Sequence, residues 1–535
     1  MNTEVSNAPL SPLAFLERAE YSFGRKVAVV SDERKLTYHE LAQEVRRVAS
    51  ALREAGIGTE DRVAYLCQNT PEMVAAHFAV PMTGAALVAV NTRLSPEEIR
   101  YILDHSGSRV LVVHSTLLEL VRPVIAQLQT VEQLIVIGAV ADLPGTIPVR
   151  DYDELVGSSS AEPLPASIAD ELAPIAVNYT SGTTGKPKGV VYTHRGAYLN
   201  ALGEIVHSGF DSNSVYLWTL PMFHCNGWCT VWAVTAIGGT HVCLPIVDPT
   251  EIWRLIDAEN VTHLDAAPTV LVSIANAEQA HRLTRPLTIT TAGAPPSPTI
   301  IGQLEELGAR LVHVYGLTET YGPYAVCEVQ DDWRDLDPGK RARLMSRQGV
   351  GMVQTDGLRV VDDEMNDVPA DGATMGEIVM RGNNVMAGYL DDPDATAEAF
   401  RGGWFHSGDL GVLHPDGYVE LRDRAKDIVI SGGENISTVE VEHAILAHPA
   451  VLETAVVPAP DEKWGERPIA FVVLRADGIA TENDIIDHVR ALLARFKAPD
   501  RVEFVTAMPK TATGKIRKFE LKARAWTGHD VHIKG

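Results

Sequence analysis

Hydrophobic and polar residues alternate in two rhythms from about residue 35 to residue 320. In "LTYHELAQEVRRVASALREAGI", Leu41, Val45, Val48 and Leu52 recur at helical spacing, whereas the following "DRVAYLC" is typical of a strand. Further along, "SPEEIRYILDHSG" has the pattern of a capped helix and precedes the strand-like "RVLVVH". Alternation of this kind with short turns predicts layered α/β structure with largely parallel sheets.

The pattern changes after about residue 340. Up to residue 422, short apolar stretches such as "GEIVMRG" and "GYVELRDR" lie between Gly, Asp and Pro turns, which predicts a small β-rich subdomain. The last part of the chain contains the helical patterns "TVEVEHAILAHP" and "ENDIIDHVRALLARF" and the strand patterns "LETAVVPAP", "PIAFVVL" and "VEFVT". These predict a compact α+β domain, with the boundary near Lys426.

Length and composition fit this division. A chain of 535 residues is too long for one compact core, and 45% hydrophobic with 22% charged residues is typical of a soluble globular protein. The formal net charge of −24 argues against a nucleic-acid partner. It leaves room for a nucleotide ligand, because local lysines and backbone N–H groups can hold a phosphate chain in an acidic protein.

Cysteine usage and the apolar runs indicate the compartment. Five cysteines, an odd number, predict reduced thiols and a cytosolic location, and the Cys225/Cys229 pair lacks the further ligands of a zinc site. The N-terminus has no signal-peptide core, and the longest apolar runs contain His, Pro, Asn and Gly. The sequence therefore predicts a soluble protein with no membrane partner.

The segment "TSGTTGKPKG", Thr180–Gly189, has the composition of a phosphate-binding loop. It is not a P-loop, because Gly182 and Gly185 are too close and Pro187 occupies the place of the magnesium-binding hydroxyl. Its glycines still allow several backbone N–H groups to approach one anion. Hydroxyl donors and positive charge come from Thr180, Ser181, Thr183, Thr184 and Lys186 or Lys188. A Gly/Ser/Thr surface loop is the alternative interpretation.

Four further motifs follow in order: "YGLTET", "GWFHSGDLG", "DRAKDIVISGGENIS" and "PKTATGKIRK". With the phosphate loop they resemble the adenylate-forming superfamily of acyl-CoA synthetases, luciferases and peptide-synthetase adenylation domains, from about residue 12 to 525. The resemblance implies a large N-terminal domain, residues 1–424, with layered α/β sheets and a small β subdomain. It also implies a smaller mobile α+β C-terminal domain, residues 427–535, with its hinge near Lys426.

The resemblance also implies an ATP site with Mg²⁺. Tyr315 offers a ring for adenine, Asp409 accepts from the ribose hydroxyls, and Glu319 with Thr184 binds the magnesium that ATP carries. Lys515 lies between the carboxylate and the α-phosphate, where its charge stabilises the transition state. The other ATP-site residues implied are Thr180, Ser181, Gly182, Thr183, Gly185, Lys188, Gly293, Ala294, Pro295, Gly316, Thr320, which meets the α-phosphate, and Arg424, which reaches the ribose or phosphate.

The acyl pocket is assigned from "LPMFHCNGWC". His224 and Trp228 are four apart and would share one face if helical. The resemblance places His224 beside the acyl carboxylate, Trp228 on the pocket wall and Gly293 along the acyl chain. A buried aromatic patch with a hydrogen-bonded histidine is the alternative interpretation. The motifs look most like the branch that activates short- and medium-chain, benzoate-type and methylmercaptopropionate acids.

Coenzyme A is the expected acceptor. The resemblance assigns its path to Gly432, Gly433 and Glu466, with Trp464 nearby. The sequence thus predicts an AMP-forming acid–thiol ligase acting on a small carboxylic acid, with a homodimer as the default assembly. Two alternatives stay open: adenylation of an acid or another oxyanion with transfer to a carrier protein or an amine, and a nucleotide-binding regulatory or scaffold protein that has lost catalysis. Retention of Lys515, Glu319 and Thr184 counts against the second.

Overall fold

The structure, a computed structural model, describes residues 8–527 except 33, 141–142, 165–167, 181–186, 425–426, 432–433, 462, 477 and 512–513. The predictions made for Ser181, Gly182, Thr183, Thr184, Gly185, Lys186, Lys426, Gly432 and Gly433 lie outside the described residues. For Arg424 only the backbone is described.

The strands and helices alternate through most of the chain. The strands are β1 Val27–Ser31, β2 Arg34–Thr37, β3 Arg62–Leu66, β4 Ala86–Ala89, β5 Val110–His114, β6 Gln133–Ile137, β7 Val149–Asp151, β8 Pro174–Thr180, β9 Lys188–Thr193, β10 Val215–Leu217, β11 Thr240–Val242, β12 His263–Ala266, β13 Leu287–Thr291, β14 Ala309–Leu317, β15 Gly322–Val326, β16 Val350–Gly351, β17 Gly357–Val361, β18 Met375–Arg381, β19 Gly388–Tyr389, β20 Phe405–Leu413, β21 Val419–Arg424, β22 Val429–Ser431, β23 Glu434–Ile436, β24 Val451–Asp461, β25 Gly465–Leu474 and β26 Arg501–Phe504. The helices are α1 Leu13–Phe23, α2 Tyr38–Glu54, α3 Pro71–Met82, α4 Pro96–Ser106, α5 Leu118–Val121, α6 Tyr152–Ser158, α7 His194–Ser208, α8 Cys225–Trp228, α9 Thr230–Ala236, α10 Pro249–Ala258, α11 Pro268–Ala275, α12 Pro298–Leu307, α13 Pro338–Met345, α14 Pro393–Ala399, α15 Thr438–Leu446, α16 Glu482–Leu492 and α17 Lys518–Ala525.

Two large sheets form the N-terminal domain. The first has eight strands in the order β19-β9-β8-β4-β3-β5-β6-β7, and the second has nine in the order β16-β15-β14-β13-β12-β10-β11-β1-β2. Their central strands are parallel, as in the pair β13/β14, and antiparallel pairs such as β8/β9 lie toward three of the four edges, while the β6/β7 edge is parallel. The prediction of layered, largely parallel α/β structure is confirmed.

Helix α2 shows why the local pattern was predictive. Leu41, Val45, Val48 and Leu52 are all at most 4% exposed, so the apolar stripe packs into the core. Thr37 caps the helix in a capping box with Glu40, and Ser95 and Glu98 do the same for α4. Each such cap stabilises a helix end by about 1 kcal/mol.

Two smaller sheets complete the molecule. β17, β18, β20 and β21 form an antiparallel sheet of four strands, the predicted β-rich subdomain. In the C-terminal domain, β22 to β26 form a five-stranded sheet that packs against α15, α16 and α17. All five cysteines are buried with free thiols. Within the described ranges, no helix combines the length and the apolar character needed to cross a membrane.

Candidate active site

The phosphate loop joins two paired strands at the edge of the eight-stranded sheet. Thr180 ends β8, Lys188 begins β9, and the two residues are antiparallel partners. The Lys188 ammonium lies 4.7 Å from the centre of the Tyr389 ring, which orients it by a cation–π contact. Both ends of the loop are therefore fixed by strand pairing.

The carboxyl ends of the parallel strands β12, β13 and β14 lie at one edge of the nine-stranded sheet, where open α/β sheets bind ligands. Gly293 follows β13 with φ +91°, a left-handed value that favours glycine, and Gly293 and Ala294 are exposed with Pro295 half-buried. Position 316 requires glycine for a different reason, because a β-carbon there would lie 1.9 Å from the carbonyl oxygen of Gly322.

Tyr315 and Asp409, predicted for adenine and ribose, are hydrogen-bonded to each other. The Tyr315 hydroxyl donates to Asp409 Oδ2 at 2.7 Å, and both side chains are buried. Asp409 lies on β20, opposite the Arg424 backbone on β21. The β subdomain thus delivers its carboxylate to the end of β14, across 94 residues of sequence.

Glu319 and Thr320 form a short 3-10 turn after β14. The Thr320 hydroxyl accepts from the Leu317 N–H and donates to the Gly322 carbonyl, both at 2.9 Å, so it shapes the turn itself. Its predicted contact with the α-phosphate stays a prediction. Glu319 Oε1 accepts from the Tyr389 hydroxyl at 2.9 Å.

The donor set fits magnesium that arrives with a nucleotide. Glu319 supplies a hard carboxylate oxygen, and in the part of the chain that the structure describes no three His, Cys, Asp or Glu side chains converge as a metal cage. Mg²⁺ is held in this way in nucleotide sites, by one or two carboxylates plus substrate phosphates.

The segment that contains His224 and Trp228 is not a right-handed helix. Cys225, Asn226, Gly227, Trp228 and Cys229 all have positive φ, so α8 is a left-handed turn. The expectation of one shared helical face is wrong in this respect, because a left-handed turn does not place residues four apart as a right-handed helix does.

The side chains of this turn are still buried at the predicted pocket. Trp228, 5% exposed, belongs to an apolar cluster with Cys225, Ala292, Val314 and Met352 among others. The Cys225 thiol donates to the Thr318 hydroxyl at 3.4 Å and lies 3.7 Å from His224 Nε2. An apolar wall and an imidazole therefore adjoin the turn that carries Glu319.

Lys515 reaches this site from the C-terminal domain. Its loop is closed by the Thr511 N–H donating to the Lys515 carbonyl at 2.7 Å. The Thr269 hydroxyl, in the first turn of α11 just after β12, donates to the Gly514 carbonyl at 2.9 Å. Burial, and secondarily the positive charge of Lys515, lower the pKa of His224 to about 4. His224 is therefore neutral at physiological pH, and Lys515 is close enough for its charge to act there.

Glu466 lies on β25, in the sheet of the C-terminal domain. Its Oε2 accepts from the Ile430 N–H at 2.9 Å and so fixes β22, the strand just before residues 432–433. Trp464 is 44% exposed, with the Lys463 ammonium 4.7 Å from its ring centre.

Two contributors had no motif to reveal them. Tyr389 orients Glu319 and Lys188 from β19, about 70 residues beyond the turn it supports. Asn178 bonds to Asn226 inside the left-handed turn. Both act through long-range packing, which leaves no local periodicity or spacing in the sequence.

Comparison with known proteins agrees with this arrangement. The family model "AMP-binding enzyme" matches residues 16–390, and "AMP-binding enzyme C-terminal domain" matches residues 440–515. The chain belongs to the AMP-binding enzymes, and the resemblance to the adenylate-forming superfamily is confirmed.

Individual relatives narrow the class to acid–thiol ligases. The chain is 44% identical to an acetate–CoA ligase of Humulus lupulus, covering 96% of this chain and 94% of that one. It is 42% identical to a peroxisomal trans-cinnamate:CoA ligase of Petunia hybrida, covering 97% and 94%. Among solved structures, an anthranilate CoA ligase in complex with anthranoyl-AMP superposes with a TM-score of 0.86 at 26% identity, covering 98% and 99%.

Proposed function

We propose that this protein activates a short- or medium-chain or aryl carboxylic acid with ATP and transfers the acyl group to coenzyme A. The observation that carries the proposal is the hydrogen bond from the Thr269 hydroxyl to the Gly514 carbonyl, which holds the Lys515 loop of the C-terminal domain against the large domain. The charge of Lys515 acts there on His224, whose neighbour Cys225 is bonded to Thr318 in the turn after β14. This arrangement brings a cation and an imidazole to the turn that presents the Glu319 carboxylate, where an acid and a nucleotide can react.

The first step joins the acid to AMP. A carboxylate oxygen attacks the α-phosphorus of ATP, the bond to the β-phosphate oxygen breaks, and pyrophosphate leaves. Asp409 accepts from the ribose, Tyr315 packs on adenine, and Lys515 neutralises the carboxylate and α-phosphate oxygens. Magnesium, held by Glu319 and Thr184, would neutralise charge on the phosphates when bound.

His224 acts here as a neutral group. The pKa of about 4 means that it adds no positive charge at neutral pH, so it orients the carboxylate by hydrogen bonding and leaves charge compensation to Lys515. Trp228 and its apolar neighbours exclude water from the acyl chain.

The second step transfers the acyl group to a thiol. The thiolate of coenzyme A attacks the acyl carbon, and AMP leaves with the electron pair of the anhydride bond. We assign the domains to residues 1–424 and 427–535, with Lys426 as the hinge about which Lys515 withdraws and Gly432, Gly433 and Glu466 approach. Glu466 supports this assignment because it fixes the strand that leads to the two glycines. A cytosolic location and a homodimer stay predictions.

A panel assay tests the proposal. The purified chain is incubated with ATP, Mg²⁺, coenzyme A and one acid at a time, from acetate through octanoate to benzoate and cinnamate, while pyrophosphate release and acyl-CoA mass are followed together. Both signals for one acid are expected. Pyrophosphate without acyl-CoA would favour a carrier protein or an amine as acceptor, and neither signal with any acid would contradict the proposal.

A further inference from the structure

The left-handed turn beside the acyl pocket is unusual in its length. Five consecutive residues, Cys225–Cys229, have φ between +44° and +64°, and four of them carry a β-carbon. Left-handed backbone is disfavoured for such residues because the β-carbon crowds the following carbonyl oxygen, so it occurs mostly at single positions. Contacts from elsewhere in the fold must hold this run in place.

Asn226, the second residue of the turn, is bound twice by Asn178. The Asn178 side-chain amide donates to Asn226 Oδ1. The Asn226 backbone N–H donates to Asn178 Oδ1 at 3.2 Å. The two residues are 0% and 1% exposed, so water does not compete for these bonds.

The position of Asn178 in the fold links this pair to both halves of the candidate site. Asn178 lies on β8 two residues before Thr180, where the phosphate loop begins. Asn226 lies two residues after His224 and two before Trp228. One buried amide pair therefore joins the strand that leads into the ATP loop to the turn that presents the acyl-site side chains.

We propose that Asn178 is a positioning residue for adenylation. Through Asn226 it holds the left-handed turn, and thereby keeps the acid carboxylate at His224 in register with the α-phosphate. An in-line displacement needs this register, since a misplacement of about 1 Å can cost roughly 100-fold in rate. The inference rests on the adenylation proposed above.

The test uses Asn178→Ala and Asn226→Gly in the full chain. Asn178→Ala removes both bonds. Asn226→Gly keeps the backbone N–H and a residue that adopts positive φ without strain, so it removes the side-chain bond alone. The matched control is Thr235→Val. Thr235 lies on α9, outside the turn, and this variant loses its buried hydroxyl, which is bonded to His241. For each variant, ATP affinity, the acid KM, the kcat of ATP–pyrophosphate exchange and the thermal midpoint are measured.

A positioning role moves the kcat of exchange but not ATP binding. We expect Asn178→Ala to lower that kcat by at least ~30-fold and Asn226→Gly by less, with ATP affinity within about 3-fold and Thr235→Val near the unmodified rate. If Asn178→Ala does not fold, Asn226→Gly decides. Exchange within about 3-fold of the unmodified chain in the folded variants, or an equal loss in Thr235→Val, would overturn the assignment. Absence of exchange in the unmodified chain would overturn the proposed function as well.

Discussion

The two parts of the candidate site are anchored very differently. The N-terminal part, at the carboxyl ends of β12 to β14 and on the left-handed turn, includes buried side chains such as Asp409 and Trp228, which are held by neighbours distant in sequence. The C-terminal part is one exposed lysine, Lys515, on a loop closed by its own backbone. Hydrogen bonds from Thr269 and Arg93 join the described part of that loop to the large domain.

This difference indicates a division of labour. Burial fixes the groups proposed to recognise nucleotide and acid, because a displaced buried polar group loses its hydrogen bonds without gaining water. A lysine on an exposed loop can leave at little cost, since water replaces what it loses. On the proposed function, recognition is built into the large domain, and the charge for the first step comes from the C-terminal domain.

Lys515→Ala tests the C-terminal part of the candidate site and has the largest expected effect. Without the ammonium, charge on the carboxylate and α-phosphate oxygens goes uncompensated, so ATP–pyrophosphate exchange should fall by at least ~100-fold while ATP still binds. Lys510→Ala is the matched control, because Lys510 lies in the same loop but pairs with Glu453 at 2.6 Å. Unchanged exchange in the Lys515 variant would show that this lysine is not the charge that matters.

Asp265→Asn examines how far burial shapes the large domain. Burial raises the pKa of Asp265 to about 7, and its carboxyl accepts from the Tyr216 hydroxyl at 2.8 Å. The folded chain therefore keeps a proton that the unfolded chain loses above about pH 4. The contribution of this proton to the free energy of unfolding is therefore full at low pH and is lost as the pH rises through about 7.

The measurement is urea unfolding at pH 5 and pH 8. From pH 5 to pH 8 the free energy of unfolding of the unmodified chain should fall by roughly 2 kcal/mol more than that of Asp265→Asn, because the asparagine has no proton to exchange. Asp332→Asn, an exposed position in the same domain, is the control. Parallel pH curves for the unmodified chain and Asp265→Asn would mean that Asp265 is ionised in the fold.

Asp409→Asn sharpens the comparison at the nucleotide. The asparagine oxygen can still accept a hydrogen bond from the Tyr315 hydroxyl, but the side chain loses the negative charge that strengthens hydrogen bonds from the ribose. The ATP KM should therefore rise ~10-fold, with a smaller change in kcat. Tyr315→Phe removes the 2.7 Å bond alone and separates the orientation of Asp409 from its charge. An unaltered ATP KM in Asp409→Asn would remove Asp409 from the nucleotide site.

The same difference explains what could be predicted from the sequence. Short-range patterns were sufficient for α2, for the β subdomain and for the order of the motifs, because apolar spacing and turn residues act locally. The left-handed turn at Asn226 and the support of Glu319 by Tyr389 depend on partners 48 and 70 residues away. Such pairings arise only when strands come together, so a single sequence gives no spacing from which to infer them.

Thr269→Val carries the smallest expected effect and tests the contact between the two parts directly. Valine keeps the shape of threonine but cannot donate to the Gly514 carbonyl, a bond of 2.9 Å. One neutral hydrogen bond is worth about 1 kcal/mol, so exchange should fall ~5-fold. Ser273→Ala is the control, because that hydroxyl bonds to the Thr269 carbonyl within α11.

Thioester formation, the step that follows adenylation, shows whether the Thr269 bond matters in one half-reaction or in both. If the Thr269 bond holds Lys515 in place only for the first step, thioester formation from a synthetic acyl-adenylate should be unchanged in Thr269→Val. An equal loss in both half-reactions would mean that Thr269 supports the large domain itself, and that the lysine loop is not separately anchored. The result therefore decides whether the weak contact is a feature of one step or of the whole fold.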